Sequence, residues 1–189
     1  MSGWMIFLWI GMIGQRLAEL RLADKNARWM RQKGGYESGH EHYRYIVGLH
    51  VLFFAGILTE VVWLGAAPPA VWPVLLLLFL MVQGVRVWCI RSLGRYWNTR
   101  IWIVPGHAPQ VRGPYRYLRH PNYAVVLAEF ILFPSLFGAY GTAVVGTFLN
   151  WLLLVFVRIP AEEKALSEAT PYEIQMGEKK RFFPSFRPR

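Results

Sequence analysis

Cysteine is almost missing from this 189-residue chain, and the single one, Cys89, sits inside an apolar run. One thiol excludes an intrachain disulfide and a cysteine-based zinc site. Histidine is also scarce, at five. His40 and His42 match poorly on a helix, and apart from His120, which belongs to a separate polar cluster, only His50 and His107 remain to complete a metal site. No metal is expected, and the histidine-rich iron sites of membrane oxygenases are out of reach. Acidic residues are outnumbered, 11 against 21 Lys and Arg, for a net charge of +10. In a soluble protein such an excess points to nucleic acid. Here 54% of the residues are hydrophobic and the mean hydropathy is +0.27, more than one soluble core needs. Lipid is therefore the expected solvent and membrane lipids the expected surroundings. The positive charge is read as loops facing anionic headgroups rather than as a nucleic-acid surface. There is no internal repeat, low-complexity tract or second domain, so residues 1–189 are expected to form one domain.

What is present is a series of apolar runs long enough to cross a bilayer, about 17 to 25 residues each. They predict five membrane helices at about 3–20, 45–66, 71–91, 122–138 and 141–159, followed by a C-terminal segment, 160–189. The first has no small-residue cleavage site and is read as an uncleaved helix. Its continuation, with Arg28 and Arg31 near Trp29, reads as a helix lying at the membrane surface. The fourth is short and contains Pro134, so it either spans at minimal length or is re-entrant, and the Gly138-Ala139-Tyr140-Gly141 turn makes it one arm of a helical hairpin. Basic residues crowd the first and third connections and the tail, whereas 65–72 and 138–141 hold no Lys or Arg. By the positive-inside rule the N-terminus lies outside and the C-terminus in the cytosol. The expected fold is thus an all-α integral membrane protein with a cytosolic site.

Two polar clusters are carried to that face. The first is Gly113-Pro114-Tyr115-Arg116-Tyr117-Leu118-Arg119-His120-Pro121-Asn122-Tyr123, at the end of a 92–120 loop whose Tyr96, Trp97, Ile101, Trp102 and Ile103 predict an ordered, half-buried course. His120 is biased toward an extended backbone by Pro121, which suits a first helical position. Free amides there, with Arg119 and His120, would form a carboxylate pocket. The second cluster is Arg158-Ile159-Pro160-Ala161-Glu162-Glu163, whose carboxylates are expected in the first turn of a new helix begun by Pro160. Adjacent helical residues point about 100 degrees apart, so Glu162 and Glu163 should do different jobs. Inside the spans, Glu129 and Arg86 need a partner or a cavity. Glu129 is expected either to contact Arg86 or Asn150 or to line an acceptor pocket. Glu60 shows no partner.

Arg-His-Pro-x-Tyr followed by a short hairpin and Glu-Glu resembles the isoprenylcysteine carboxyl methyltransferase family, over roughly residues 80 to 186. The resemblance implies S-adenosylmethionine as cofactor, with Arg119, His120, Pro121, Tyr123 and Tyr115 at its methionine end. One of Glu162 and Glu163 would engage the ribose or amino group, and the other would organise the site through an Arg. Arg119, Glu163 and Glu129 are the candidate catalytic residues, Arg119 by orienting the acceptor anion. Asn122 after the proline, Ala124 where a Gly often follows the Tyr, and the short tail depart from the eukaryotic enzymes and look more like the small bacterial branch. Some of its members are associated with type III polyketide synthases and O-methylate long-chain alkylpyrones. The implied acceptor is a lipophilic carboxylate or enol or phenol hydroxyl in a bacterial cell membrane, with no obligate protein partner evident. The acceptor is expected to enter sideways between the third to fifth helices, past Gly146 and Pro134, and to stop near Arg119. Two other classes compete: an NADPH-dependent reductase of the related sterol-reductase type, and a non-catalytic membrane adaptor.

Overall fold

Run length and turn chemistry set the architecture seen in a computed structural model, which describes residues 3–182. The elements are α1 (Gly3–Gln32), β1 (Tyr36–Ser38), α2 (His40–Val62), α3 (Trp72–Leu93), β2 (Ile101–Ile103), α4 (Pro121–Leu136), α5 (Tyr140–Leu153), α6 (Ile159–Ala169) and α7 (Tyr172–Met176). Three helices are long and apolar enough to cross a membrane: α2, α3 with the turn after it, and the continuous rod from Tyr140 to Ala169. The first and fourth expected spans are not among them. In α1 the apolar run is interrupted after Gly14 by Gln15, Arg16 and Glu19, although the helix itself continues unbroken to Gln32. α4 has 16 residues, about 24 Å of rise, which is less than the ~30 Å of a hydrocarbon core.

The rod from Tyr140 to Ala169 corrects the expectation that Pro160 starts a new helix. Residues Leu154–Arg158 form a wide π-turn in which the Ile159 N–H bonds the Leu154 carbonyl, and the helix passes through Pro160 without ending. Proline has no N–H, and its ring would strike the carbonyl four residues back in a regular helix. The wide turn moves that carbonyl aside.

The core away from the site is an aromatic ladder. Phe53 stacks on Phe130 at 4.1 Å, and Phe79 and Phe137 close on Phe133 at 5.4 and 5.1 Å. Gly146 lies against this ladder. A Cβ there would stand 3.3 Å from Phe53 and 3.4 Å from Phe130, so it is a packing position between helices and not the acceptor gap expected of it. Gly138, in the α4–α5 turn, has φ 72, and a Cβ on it would sit 2.1 Å from the Ala67 carbonyl. Only glycine fits there. Glu60 does have partners: it caps α5, accepting from the Gly141 and Thr142 amides and from Thr142 Oγ1 at 3.1, 2.5 and 2.5 Å.

The all-α expectation misses one element. β1 and β2 pair antiparallel, Tyr36 with Ile103 and Ser38 with Ile101, tying the first connection to the 92–120 loop. Ile101, Ile103 and Trp97 are buried. Asn26 on α1 donates to the Trp97 carbonyl at 2.7 Å and Asn98 to that of Ala23 at 2.7 Å, so the loop is fixed to the far end of α1.

Candidate functional site

A cavity of about 240 Å³ lies where the 92–120 loop, the start of α4, the π-turn, α6 and α7 converge. Arg119, His120, Tyr123, Tyr115 and Glu162 are on its wall; Pro121, Glu163 and Glu129 are not. His120 adopts φ −127, ψ 55 just ahead of Pro121, because a residue before proline is pushed out of the helical region. Its ring packs on Tyr123 at 5.4 Å.

The two glutamates divide as their adjacent positions on a helix require. Glu162 faces the cavity. One of its oxygens, Oε2, accepts from the Tyr123 hydroxyl, which in turn accepts from Arg158 Nε at 2.9 Å. No hydrogen bond reaches Glu162 Oε1 among the described residues. Glu163 turns to the neighbouring segments and accepts from His120 Nε2 at 3.0 Å and from Arg181 Nη2 at 2.5 Å. Its contact with Arg119 Nη1, at 3.5 Å, is longer. Glu163 is therefore a bracket behind the wall.

Arg119 is also largely committed. Its Nε donates to the Lys179 carbonyl at 2.6 Å and its Nη2 to that of Gly177. The amides just ahead of α4 are taken by the returning tail: Arg119 N–H bonds the Lys180 carbonyl at 3.1 Å and His120 N–H that of Arg181 at 3.2 Å. Within the first turn the Tyr123 N–H bonds the His120 carbonyl at 3.1 Å.

What remains open on the wall is a set of unpaired polar atoms. Arg158 is 4% exposed and Tyr172 2%, and among the described residues neither Arg158 Nη1 nor the Tyr172 hydroxyl has a hydrogen-bond partner. Asn122 Oδ1, Asn150 Nδ2 and Trp97 Nε1 share this condition. Burial pushes the Tyr172 and Tyr115 phenols above their ordinary pKa, so both are neutral hydroxyls. Arg158 was visible in the sequence as part of the second cluster without a role. Tyr172 gave no local signal, and Asn150 and His50 gave only that of a polar residue within an apolar run.

Glu129 stands elsewhere, in a closed ion cluster 1% exposed. Gln83 donates to its Oε1 at 2.8 Å, and Arg16 and Arg86 donate to its Oε2 at 2.6 and 3.1 Å. Arg86 also grips both oxygens of Glu19, at 2.6 and 2.7 Å. Two cations and two anions thus neutralise one another between α1, α3 and α4. The expected Arg86 contact is present, and the Asn150 contact is not among these bonds.

Residues 74–168 match the model of the isoprenylcysteine carboxyl methyltransferase (ICMT) family. A relative from Bacillus subtilis (strain 168), "Uncharacterized protein YpbQ", is 43% identical over 157 residues, covering 83% of this chain and 93% of its own. An "Uncharacterized protein" from Haemophilus influenzae is 26% identical over 157 residues, covering 82% and 91%. The matched span holds the Arg119 to Tyr123 wall, the hairpin and both glutamates, and the chain belongs to the isoprenylcysteine carboxyl methyltransferase family of membrane methyltransferases.

Proposed function

We propose that this protein uses S-adenosylmethionine to O-methylate a lipophilic small molecule at the cytosolic face of a bacterial membrane. The observation that carries this reading is the group of unpaired buried atoms, Arg158 Nη1, Tyr172 hydroxyl and Asn122 Oδ1, around the open oxygen of Glu162. Each buried polar group left unsatisfied costs about 1–3 kcal/mol, so several on one wall point to a ligand that completes them. Their mixed sign suits a zwitterion. Arg158 Nη1 would take a carboxylate, Glu162 an ammonium or a ribose hydroxyl, and the Tyr96 and Trp97 side an aromatic base. The bound cofactor would supply a methyl group on a sulfonium, already a good leaving group.

The residues are then left to align the acceptor and exclude water. Glu163 holds His120 and Arg181 in place and, with Arg119, pins the tail over the cavity. We assign Arg119 and Glu163 to positioning, Glu162 to contact with the cofactor, and Glu129 to joining the helices. The cavity is just below the ~300–1,000 Å³ common for small-molecule sites. Holding cofactor and acceptor together therefore requires it to widen, and the hydrogen-bonded tail is the part that can yield.

We retain the five-crossing, N-out arrangement on the distribution of Lys and Arg, with α1 and α4 as the shorter crossings. The acceptor is a lipophilic carboxylate or an enol or phenol hydroxyl, for which a long-chain alkylpyrone is one candidate, and it arrives from the inner leaflet.

Calorimetry on the purified protein tests the cofactor. S-adenosylhomocysteine should bind and NADPH should not. Glu162→Gln should weaken the first about ten- to a hundredfold, the equivalent of one charged hydrogen bond of about 1.5–3 kcal/mol. Binding of NADPH alone would replace this reading with a reductase, and binding of neither with an adaptor.

A further inference from the structure

The membrane-side end of the cavity carries a second set of polar groups that differs from the first. His50 on α2, Asn150 on α5 and Arg86 on α3 line it beside Ile46, Val126 and Leu154. Three of the five N–H donors of Arg86 are engaged by Glu19 and Glu129, and these two carboxylates offset its charge. Asn150 is 2% exposed and its amide nitrogen has no partner among the described residues.

His50 is more specific. Its Nδ1 lies 2.8 Å from the Ile46 carbonyl oxygen. A carbonyl can only accept, so Nδ1 carries the proton, and a neutral ring must then present a bare lone pair at Nε2. No hydrogen bond reaches that nitrogen among the described residues. The ring is held edge-on to Phe130 at 5.1 Å, so its direction is set by packing on one side and by the backbone bond on the other. The charges that act on it from neighbouring helices are Arg16 on α1, Arg86 on α3 and Glu129 on α4. They belong to the internally paired cluster, which leaves no spare anion to hold an imidazolium.

We infer that His50 Nε2 is the proton acceptor for a hydroxyl substrate, with Asn150 holding the same oxygen. The inference rests on the methyltransferase reading above and narrows its acceptor to an enol or phenol. A hydroxyl donates to Nε2 and accepts from the Asn150 amide; a carboxylate would face a lone pair beside a cation, Arg86, already paired with two carboxylates. In the step, the acceptor O–H breaks and its proton passes to Nε2. The electron pair left on oxygen forms the O–CH3 bond, and the S–CH3 bond of the methylsulfonium donor breaks with its pair on sulfur. Proton removal of this kind contributes about a hundred- to ten-thousandfold. It matters only while the hydroxyl is un-ionised.

The test uses full-length protein in lipid nanodiscs, labelled S-adenosylmethionine and three probes of one chain length: an alkylphenol, a nitro-substituted alkylphenol ionised at the assay pH, and a fatty acid. Wild type should methylate both phenols and leave the fatty acid. His50→Ala should lose about a hundredfold or more on the alkylphenol and little on the ionised probe, with unchanged affinity for S-adenosylhomocysteine. His50→Gln, which keeps more of the ring's volume, should show the same split. Without any turnover, the absorbance of the bound nitrophenol should report ionisation at lower pH in wild type than in His50→Gln. Equal losses on the two phenols, preferential methylation of the fatty acid, or cofactor binding with transfer to none of the probes would overturn the inference. Failure to bind S-adenosylhomocysteine would overturn the reading beneath it.

Discussion

Tyr172 buries a hydroxyl that no neighbour among the described residues satisfies, which is a poor arrangement for stability and a good one for a ligand. Tyr172→Phe should therefore leave the melting temperature of the cofactor-free protein unchanged or raised, while lowering affinity for S-adenosylhomocysteine about tenfold. A large loss of stability with no loss of affinity would make the hydroxyl structural. Glu129 is the opposite case, a charge whose partners are complete. Both Glu129 and Glu162 look like candidates from the sequence, because each is a carboxylate close to or within an apolar run. Which of them meets a cavity was not legible. That is decided by Arg16, 113 residues away along the chain, and by how α1 docks. Glu60 seemed partnerless for the same reason, since its hydroxyl partner Thr142 is 82 residues further on. Arg119, His120, Tyr123, Glu162 and Glu163 could be grouped beforehand because one short hairpin separates the two clusters. The Tyr172 hydroxyl could not, since nothing local marks it.

At the scale of elements, the π-turn is what lets one rod serve both membrane and site. It sets Arg158 beneath Tyr123 and Thr99, whose carbonyl accepts from Arg158 Nη2 at 3.0 Å, while Pro160 continues into α6. Wide turns of this kind are frequent at functional positions. Pro160→Ala restores an N–H and removes the ring that the wide turn accommodates. The helix should tighten, the melting temperature should rise, and affinity for S-adenosylhomocysteine should fall about tenfold as Arg158 is drawn off the cavity. Raised stability with unchanged affinity would detach the turn from binding. Three long apolar helices were legible from run length alone. The π-turn was not, because proline reads equally as a helix start. Three-residue strands such as β1 and β2 are too short to show an alternating pattern, so their pairing had no signal.

For the whole molecule, the uneven placement of Lys and Arg gives a test that is independent of the site. A reporter fused after Arg189 should read cytosolic and one inserted at Pro68 external; the reverse pattern would put both polar clusters on the wrong side for a cytosolic cofactor. The bonds from Arg119 and His120 to the backbone of Gly177, Lys179, Lys180 and Arg181 also bear on how the protein is made. Those carbonyls leave the ribosome after every segment they touch. By then the three long apolar helices have all been made, with the wall of the cavity still unfinished. The Arg119 and His120 side of the cavity therefore takes its shape only once the segment that follows α7 folds back onto it.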